Sequence, residues 1–153
     1  MTRSLPSGPP VEDPIGLFVT RSARTLSRAF DAALEAGGGA LPTWLVLASL
    51  MGEAHGSQRS IAAAVGIEGA TLTHHLARLE TDGLVARERD PQNLRVQHVE
   101  LTDAGVERFT ALLGTVRAFD ERLRRGLDDD ELATLRDLLG RLVANATDAR
   151  EEE

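Results

Sequence analysis

The sequence contains no cysteine, no tyrosine and no lysine, and aromatic residues make up only 3% of its 153 residues. The lack of cysteine excludes disulfides, thiolate zinc sites, cysteine nucleophiles and thiol-based redox sensing. Hydrophobic residues make up 42% of the chain, which is enough for the core of one ordinary domain. Because aromatics are scarce, that core must be built from leucine, valine and alanine.

Long hydrophobic runs are also missing. No stretch approaches the roughly 18 apolar residues of a membrane span, and no signal peptide is visible. We therefore expect a cytoplasmic protein with no membrane association. The first residues, MTRSLPSGPP, are rich in proline, serine and glycine and predict a disordered tail over residues 1–12. An acidic tail over residues 148–153 is expected to fray.

Negative charge predominates, with a formal net charge of -7. This balance argues against a protein that coats nucleic acid non-specifically. The acidic excess lies away from the middle of the chain, because residues 57–100 hold 5 arginines against 6 acids while residues 101–153 hold 8 against 13. All 17 basic residues are arginine, which suits bidentate contacts to bases and phosphates. Genomic composition alone would also give this pattern.

Hydrophobic periodicity predicts mostly helices. Apolar residues at three-four spacing indicate a helix over residues 13–36, ended by three glycines, and a second helix that begins near Pro42. A short helix then ends at Gly66, which suits a left-handed turn. The next helix runs from about Ala70 to Asp82. Two helices joined by a short turn containing glycine form a helix-turn-helix.

After Gly83 the pattern changes to alternation. The segments LVARERD and RVQHVELT flank PQNL and predict a β-hairpin, which after a helix-turn-helix forms a wing. Thr102 is expected to cap a long helix, and Asp128 with Glu131 to form a capping box for a last helix that ends near Ala146. The expected fold class is mainly α with a small β wing.

The helix GATLTHHLARLE has two distinct faces. At about 100° per residue, Leu72, Leu76 and Leu79 form one buried stripe. The opposite surface holds short or hydrogen-bonding side chains and one arginine: Ala70, Thr71, His74, Ala77, Arg78 and Thr81. A helix that enters the major groove needs such a surface, although a solvated polar face would look similar. The hairpin that follows favours DNA.

Other chemistry finds little support in the sequence. The histidines His55, His74, His75 and His98 are not spaced as one ligand set, so we expect no metal. There is no phosphate-binding glycine motif, no activated serine and no pair of carboxylates in an apolar setting. We therefore expect no cofactor and no enzymatic activity.

Residues 13–147 resemble the MarR (multiple antibiotic resistance regulator) family of transcription factors. The resemblance depends on LPTWLVLASL, on the order helix, turn, helix, LE-x-x-GLV, D-P wing and LT-x-x-G, and on the closing LDDDELATLRDLLGRLV. It implies a winged helix-turn-helix domain over residues 41–101. Helices that form a homodimer would flank it at residues 13–40 and 102–147.

The resemblance also implies site residues. Thr71, Thr73 and His74 occupy the base-reading positions, and Arg95 matches an arginine that wings insert into the minor groove. Asn93 stands where the family often has an acid that braces this arginine. The complete set of expected DNA-binding residues is Ala70, Thr71, Thr73, His74, Arg78, Arg87, Arg89, Asn93 and Arg95.

The family further implies a small aromatic effector, held between the dimer helices and the winged domain. Phe18 and Trp44 would border such a cavity, although both residue types are more often found in cores. The expected function is that of a dimeric regulator of a pseudo-palindromic operator, a repressor released by its effector. The alternative is a helical dimer that acts through protein contacts and whose winged helix no longer binds DNA.

Overall fold

The computed structural model describes residues 13–52, 56–66, 68–93 and 97–148. The elements in chain order are α1 (Ile15–Ala36), α2 (Leu41–Gly52), β1 (Gly56–Ser57), α3 (Gln58–Val65), α4 (Gly69–Thr81), β2 (Val85–Arg89), β3 (Gln97–Leu101), α5 (Asp103–Leu123) and α6 (Asp129–Asp148). The expected mainly α fold with a small β wing is confirmed. The chain divides into two compact units, one up to Val116 and one from Arg117 onward.

The helix-turn-helix consists of α3 and α4. Gly66, between them, has a φ of +68°, a left-handed conformation that glycine adopts without steric cost. The predicted leucine stripe is confirmed, since Leu72, Leu76 and Leu79 are all buried. They belong to one core that α4 shares with four other helices, α1, α2, α3 and α5, and with strands β2 and β3. The buried members of this core are Leu34, Val46, Leu47, Leu50, Ile61, Leu72, Leu76, Leu79, Val85, Val99 and Leu112.

The wing contains one strand more than the sequence predicted. The antiparallel hairpin β2–β3 pairs Val85 with Leu101 and Arg89 with Gln97. The third strand, β1, pairs with the other edge of β3, so that the order is β1-β3-β2. A strand of two residues has no periodicity to detect, and only its pairing defines it.

The beginning of α5 is locked to the turn that follows α4. The Thr102 hydroxyl donates to the Gly83 carbonyl at 2.6 Å and accepts from the Gly105 amide at 3.0 Å. The predicted cap is therefore confirmed. A Cβ on Gly105 would lie 2.0 Å from the Leu84 carbonyl oxygen, so only glycine allows the helix to approach this closely. These contacts explain the GLV and LT-x-x-G segments together.

The second unit contains the end of α5 and all of α6. The predicted capping box is confirmed, because the Glu131 amide donates to Asp128 at 2.8 Å and the Asp128 amide donates to Glu131 at 2.9 Å. No residue of α6 is buried. Its apolar residues lie largely on one side of the helix, and four large ones are exposed: Leu135, Leu138, Leu139 and Val143.

In the first unit, α1 also presents large apolar side chains to solvent, namely Ile15, Leu17, Phe18 and Leu26. Within the described ranges, no single helix is long and apolar enough to cross a membrane. Helices α1 and α2 meet that length and composition only when taken together across an 81° bend. The predicted tails, residues 1–12 and 148–153, lie outside the described residues except for Asp148, which is the last residue of α6.

Candidate nucleic-acid interface

The outer face of α4 has the composition that the sequence predicted. Ala70, Thr71, His74 and Arg78 are all exposed. The Arg78 side chain is 79% exposed, and its Nε lies 4.0 Å from the Asp82 carboxylate, a solvated contact that contributes little. The guanidinium is therefore available to a phosphate or a guanine.

The two adjacent histidines of α4 differ in their surroundings. His74 is exposed, whereas His75 is half-buried. Their ring centroids are 6.2 Å apart and the ring planes are inclined by 61°. Consecutive helical residues point about 100° apart, and the exposed ring on the outer face with Thr71 and Arg78 is that of His74.

Thr73 connects the two helices of the helix-turn-helix. Its hydroxyl donates to the Gly69 carbonyl at 2.8 Å and accepts a hydrogen bond from the Gln58 side-chain amide of α3. The single hydroxyl proton is therefore already used within α4. Of the two threonines expected to read bases, Thr71 is the one whose hydroxyl has no hydrogen-bond partner among the described residues.

The two wing arginines of β2 are in different environments. Arg87 Nε donates to Glu80 Oε2 at 2.8 Å, and Nη2 contacts the same oxygen. The Arg87 side chain is only 17% exposed, whereas Arg89, two residues further along the same face of the strand, is exposed. The wing therefore offers Arg89 to a ligand and holds Arg87 against α4.

Asp90 organises the turn of the wing. Its Oδ1 accepts from the amides of Gln92 at 2.7 Å and Asn93 at 3.0 Å, and its Oδ2 lies 3.1 Å from His98 Nε2. The hydrogen bond with His98, followed by those from the two amides, lowers the pKa of Asp90 from its usual 3.8. The exposed Asn93 is thus placed by its backbone amide, through a local aspartate turn.

Arg95 and His55, which the sequence analysis singled out, lie outside the described residues. Among the residues that are described, no group of three histidines and acids is arranged to hold a metal ion.

Sequence reasoning missed the partners Gln58, Glu80 and Asp90. Asp90 had a local signal, because aspartate before Pro91 favours a turn that its own side chain closes. The other two act across a change of element, which no periodicity reveals.

The two aromatic residues expected at an effector cavity lie in different surroundings. Phe18 is 59% exposed on α1. Trp44 is partly buried against the core and stacks on Phe109 of α5, with ring centroids 5.3 Å apart and planes inclined by only 6°. Trp44 is thus part of a packed aromatic pair.

The known proteins to which this chain is similar are transcriptional regulators. The MarR family model matches residues 41–96, which include the helix-turn-helix and most of the wing. The chain is 34% identical over 89 residues to YdgJ of Bacillus subtilis, an uncharacterized HTH-type transcriptional regulator. That match covers 58% of this chain and 54% of YdgJ, so the chain spans about half the length of this curated relative.

Two solved structures extend the similarity over most of the chain. The regulator PcaV of Streptomyces coelicolor, solved with its natural ligand, has a TM-score of 0.76 at 26% identity and covers 89% of this chain and 99% of its own. A cysteine-to-serine variant of E. coli MarR, solved with operator DNA, has a TM-score of 0.75 at 25% identity, covering 84% and 93%. The domain match and the shared fold agree: residues 41–96 match the MarR family, and most of the chain shares the fold of MarR-family regulators.

Proposed function

We propose that the protein is a cytoplasmic transcriptional regulator that binds double-stranded DNA in a sequence-specific manner, and that it acts by binding rather than by catalysis. The observation that supports this most strongly is the outer face of α4. This face carries four exposed side chains and no carboxylate: Ala70, Thr71, His74 and Arg78. Three buried leucines on the opposite face fix the orientation of the helix. This composition fits the major groove.

The wing supplies the remaining contacts. Arg89 is exposed on β2 and is proposed to bind a backbone phosphate, while Arg95 is assigned to the minor groove from its position in the sequence. Asn93, held by Asp90 through its backbone amide, comes two residues before Arg95 in the sequence. The operator complex of the E. coli MarR variant supports this use of a winged helix with the same fold.

A homodimer is proposed because two helices expose apolar faces that the described residues do not bury. On α6, Leu135, Leu138 and Leu139 are between 39% and 48% exposed. On α1, Ile15 and Phe18 are each 59% exposed. Monomeric soluble proteins rarely leave such stripes in water. Two copies would present two recognition helices to half-sites about one helical turn apart.

Release by a small aromatic effector completes the proposal and makes the protein a repressor. The PcaV structure contains its natural ligand, and here the stacked rings of Trp44 and Phe109 give a flat apolar wall. An effector that binds more tightly to a dimer with mismatched half-site spacing would shift the population away from DNA. Trp44 is the only tryptophan, so its fluorescence should report such binding.

The proposal is tested by measuring affinity for an operator duplex, recovered by selection, across a salt series. A protein that neutralises phosphates loses affinity steeply, with a slope of log affinity against log salt near -0.9 for each contact. Replacing Arg78 or Arg95 by alanine should weaken binding and reduce that slope by about one.

Arg136 provides the matched control, because it lies on α6 in the second unit. Arg136→Ala removes the same charge and should leave the slope unchanged. A shallow salt dependence for the wild-type protein, or equal slopes for Arg78→Ala and Arg136→Ala, would instead favour a dimer that acts through protein contacts.

A further inference from the structure

The ion pair between Glu80 and Arg87 closes the corner between the recognition helix and the wing. Glu80 lies in the last turn of α4 and Arg87 in the middle of β2, with the turn at Gly83 between them. Both Nε and Nη2 of the arginine are directed to one carboxylate oxygen, Oε2 of Glu80. Two donors from a planar guanidinium fix an angle as well as a distance.

The surroundings of Arg87 distinguish this pair from an ordinary surface ion pair. Arg87 stands opposite Val99 in the β2–β3 register and two residues after Val85, so it shares the strand face of two buried valines. Only 17% of its side chain is exposed, against 40% for Glu80. Its position on this face directs the side chain toward the core side of the wing rather than toward bulk solvent.

We infer that Glu80 and Arg87 are positioning residues that set the angle between α4 and the wing, and that Arg87 affects DNA binding through Glu80 rather than by contacting DNA. This inference rests on the proposed function. It assigns the phosphate contact of β2 to Arg89, which the same strand leaves exposed. It also gives a role in DNA binding to a carboxylate.

Arg87 could position the wing through Glu80 or contact DNA directly. The two roles predict opposite effects on DNA affinity when the charge of Glu80 is removed. Phosphates repel a carboxylate, so if Glu80 had no positioning role, removing its charge would strengthen binding. If Glu80 holds the wing through Arg87, the same change frees the wing and weakens binding. The sign of the Glu80→Gln effect therefore separates the two.

The test is a double-mutant cycle on the full-length chain, with Glu80→Gln, Arg87→Gln and the double variant, and affinity for the selected duplex measured across a salt series. We expect each single variant to bind roughly ten-fold more weakly, and the double variant to be no weaker than either, as for residues in direct contact. Arg87→Gln should keep the wild-type salt slope. Arg89→Gln, the matched control, should lower the slope by about one.

A charge reversal adds a readout that loss of packing would not produce. The pair Glu80→Arg with Arg87→Glu should recover part of the affinity that each reversal loses alone, because the ion pair is re-formed with opposite polarity. Circular dichroism and thermal unfolding identify any variant that fails to fold. If Arg87→Gln does not fold, the sign of the Glu80→Gln effect on DNA affinity still decides between the positioning role and direct DNA contact.

The outcomes separate the two proposals. If the wild-type chain binds DNA but Glu80→Gln strengthens binding, or Arg87→Gln lowers the slope by about one and the cycle is additive, the positioning role is overturned while the proposed function stands. If the wild-type chain binds no duplex, the proposed function fails and this inference fails with it.

Discussion

At the scale of single residues, a polar side chain is available to a ligand only if its hydrogen-bonding groups are not already used within the protein. Thr71 and Thr73 are two residues apart on α4, yet the Thr73 hydroxyl is used by Gly69 and Gln58. Arg87 and Arg89 are likewise neighbours on one strand face, yet only Arg87 is held by a carboxylate. Residues of the same type two positions apart therefore differ in whether their polar groups are already used within the protein.

Asp90 gives a prediction about pH. Hydrogen bonds from His98 and from two backbone amides lower its pKa below the usual 3.8. Because the pKa of this carboxyl group is lower in the folded state than in the unfolded state, its ionised form stabilises the wing at pH values above the ordinary pKa. This contribution is lost as the pH falls through the pKa of the folded state. We expect the Gln92 and Asn93 amides to stay protected from exchange down to about pH 3.8 and to lose protection below it.

The measurement is an NMR titration of the Asp90 carboxyl carbon and the two amides. His98→Ala removes the largest cause of the shift, so the Asp90 midpoint should move up toward 3.8. An Asp90 midpoint that is the same with and without His98 would contradict this account of the turn.

At the scale of helices and strands, α4, the wing and α5 meet at a closely packed junction. Thr102 bridges the Gly83 carbonyl and the Gly105 amide, and Gly105 lies directly against the Leu84 carbonyl. One turn of α5 thus fixes both the end of the recognition helix and the base of the hairpin.

Gly105→Ala should therefore be strongly destabilising. The added Cβ would meet a backbone carbonyl oxygen at 2.0 Å, which a rotamer change cannot relieve, and we expect a loss of about 2–3 kcal/mol in the free energy of unfolding. Gly114→Ala is the matched control in the same helix, because a Cβ there meets nothing within 4 Å.

Alanine is favoured over glycine in a helix interior by roughly 0.5–1 kcal/mol, so Gly114→Ala should stabilise. Denaturant unfolding of both variants measures the difference. Similar stabilities for the two would contradict the close approach at Gly105.

Sequence periodicity predicted most elements at this scale and could not predict the contacts between them. The bounds of α1 and α4, the caps at Thr102 and Asp128, and the left-handed Gly66 all follow from local physics. The strand β1 and the Glu80–Arg87 pair do not. β1 depends on pairing with β3, which lies far along the chain, and the ion pair depends on how the turn at Gly83 places β2 against α4.

At the scale of the whole molecule, the described part of the chain leaves apolar surface on α1 and α6 uncovered. The second unit consists of helix without a single buried residue in α6, and the capping box at Asp128 stabilises only its first turn. In proteins, most of the stability of a helix comes from the packing of its apolar face. The proposed second copy supplies that packing.

Leu139→Glu should weaken the proposed dimer. Leu139 lies near the middle of the α6 apolar face and is 39% exposed, so a carboxylate there would be buried without a partner in the interface. We expect the variant to sediment as a monomer at concentrations where the wild type is dimeric. Ala144→Glu, which adds the same charge on the opposite face of α6, should remain dimeric. If the two variants sediment with the same oligomeric state, this prediction is wrong.

The most direct test of the central claim is selection of binding sites by the full-length protein from a pool of random-sequence DNA duplexes, followed by sequencing. The account predicts enrichment of an inverted repeat whose half-site centres lie about one helical turn apart, because two α4 helices would occupy successive major grooves. A recovered pool no different from the starting pool would contradict it.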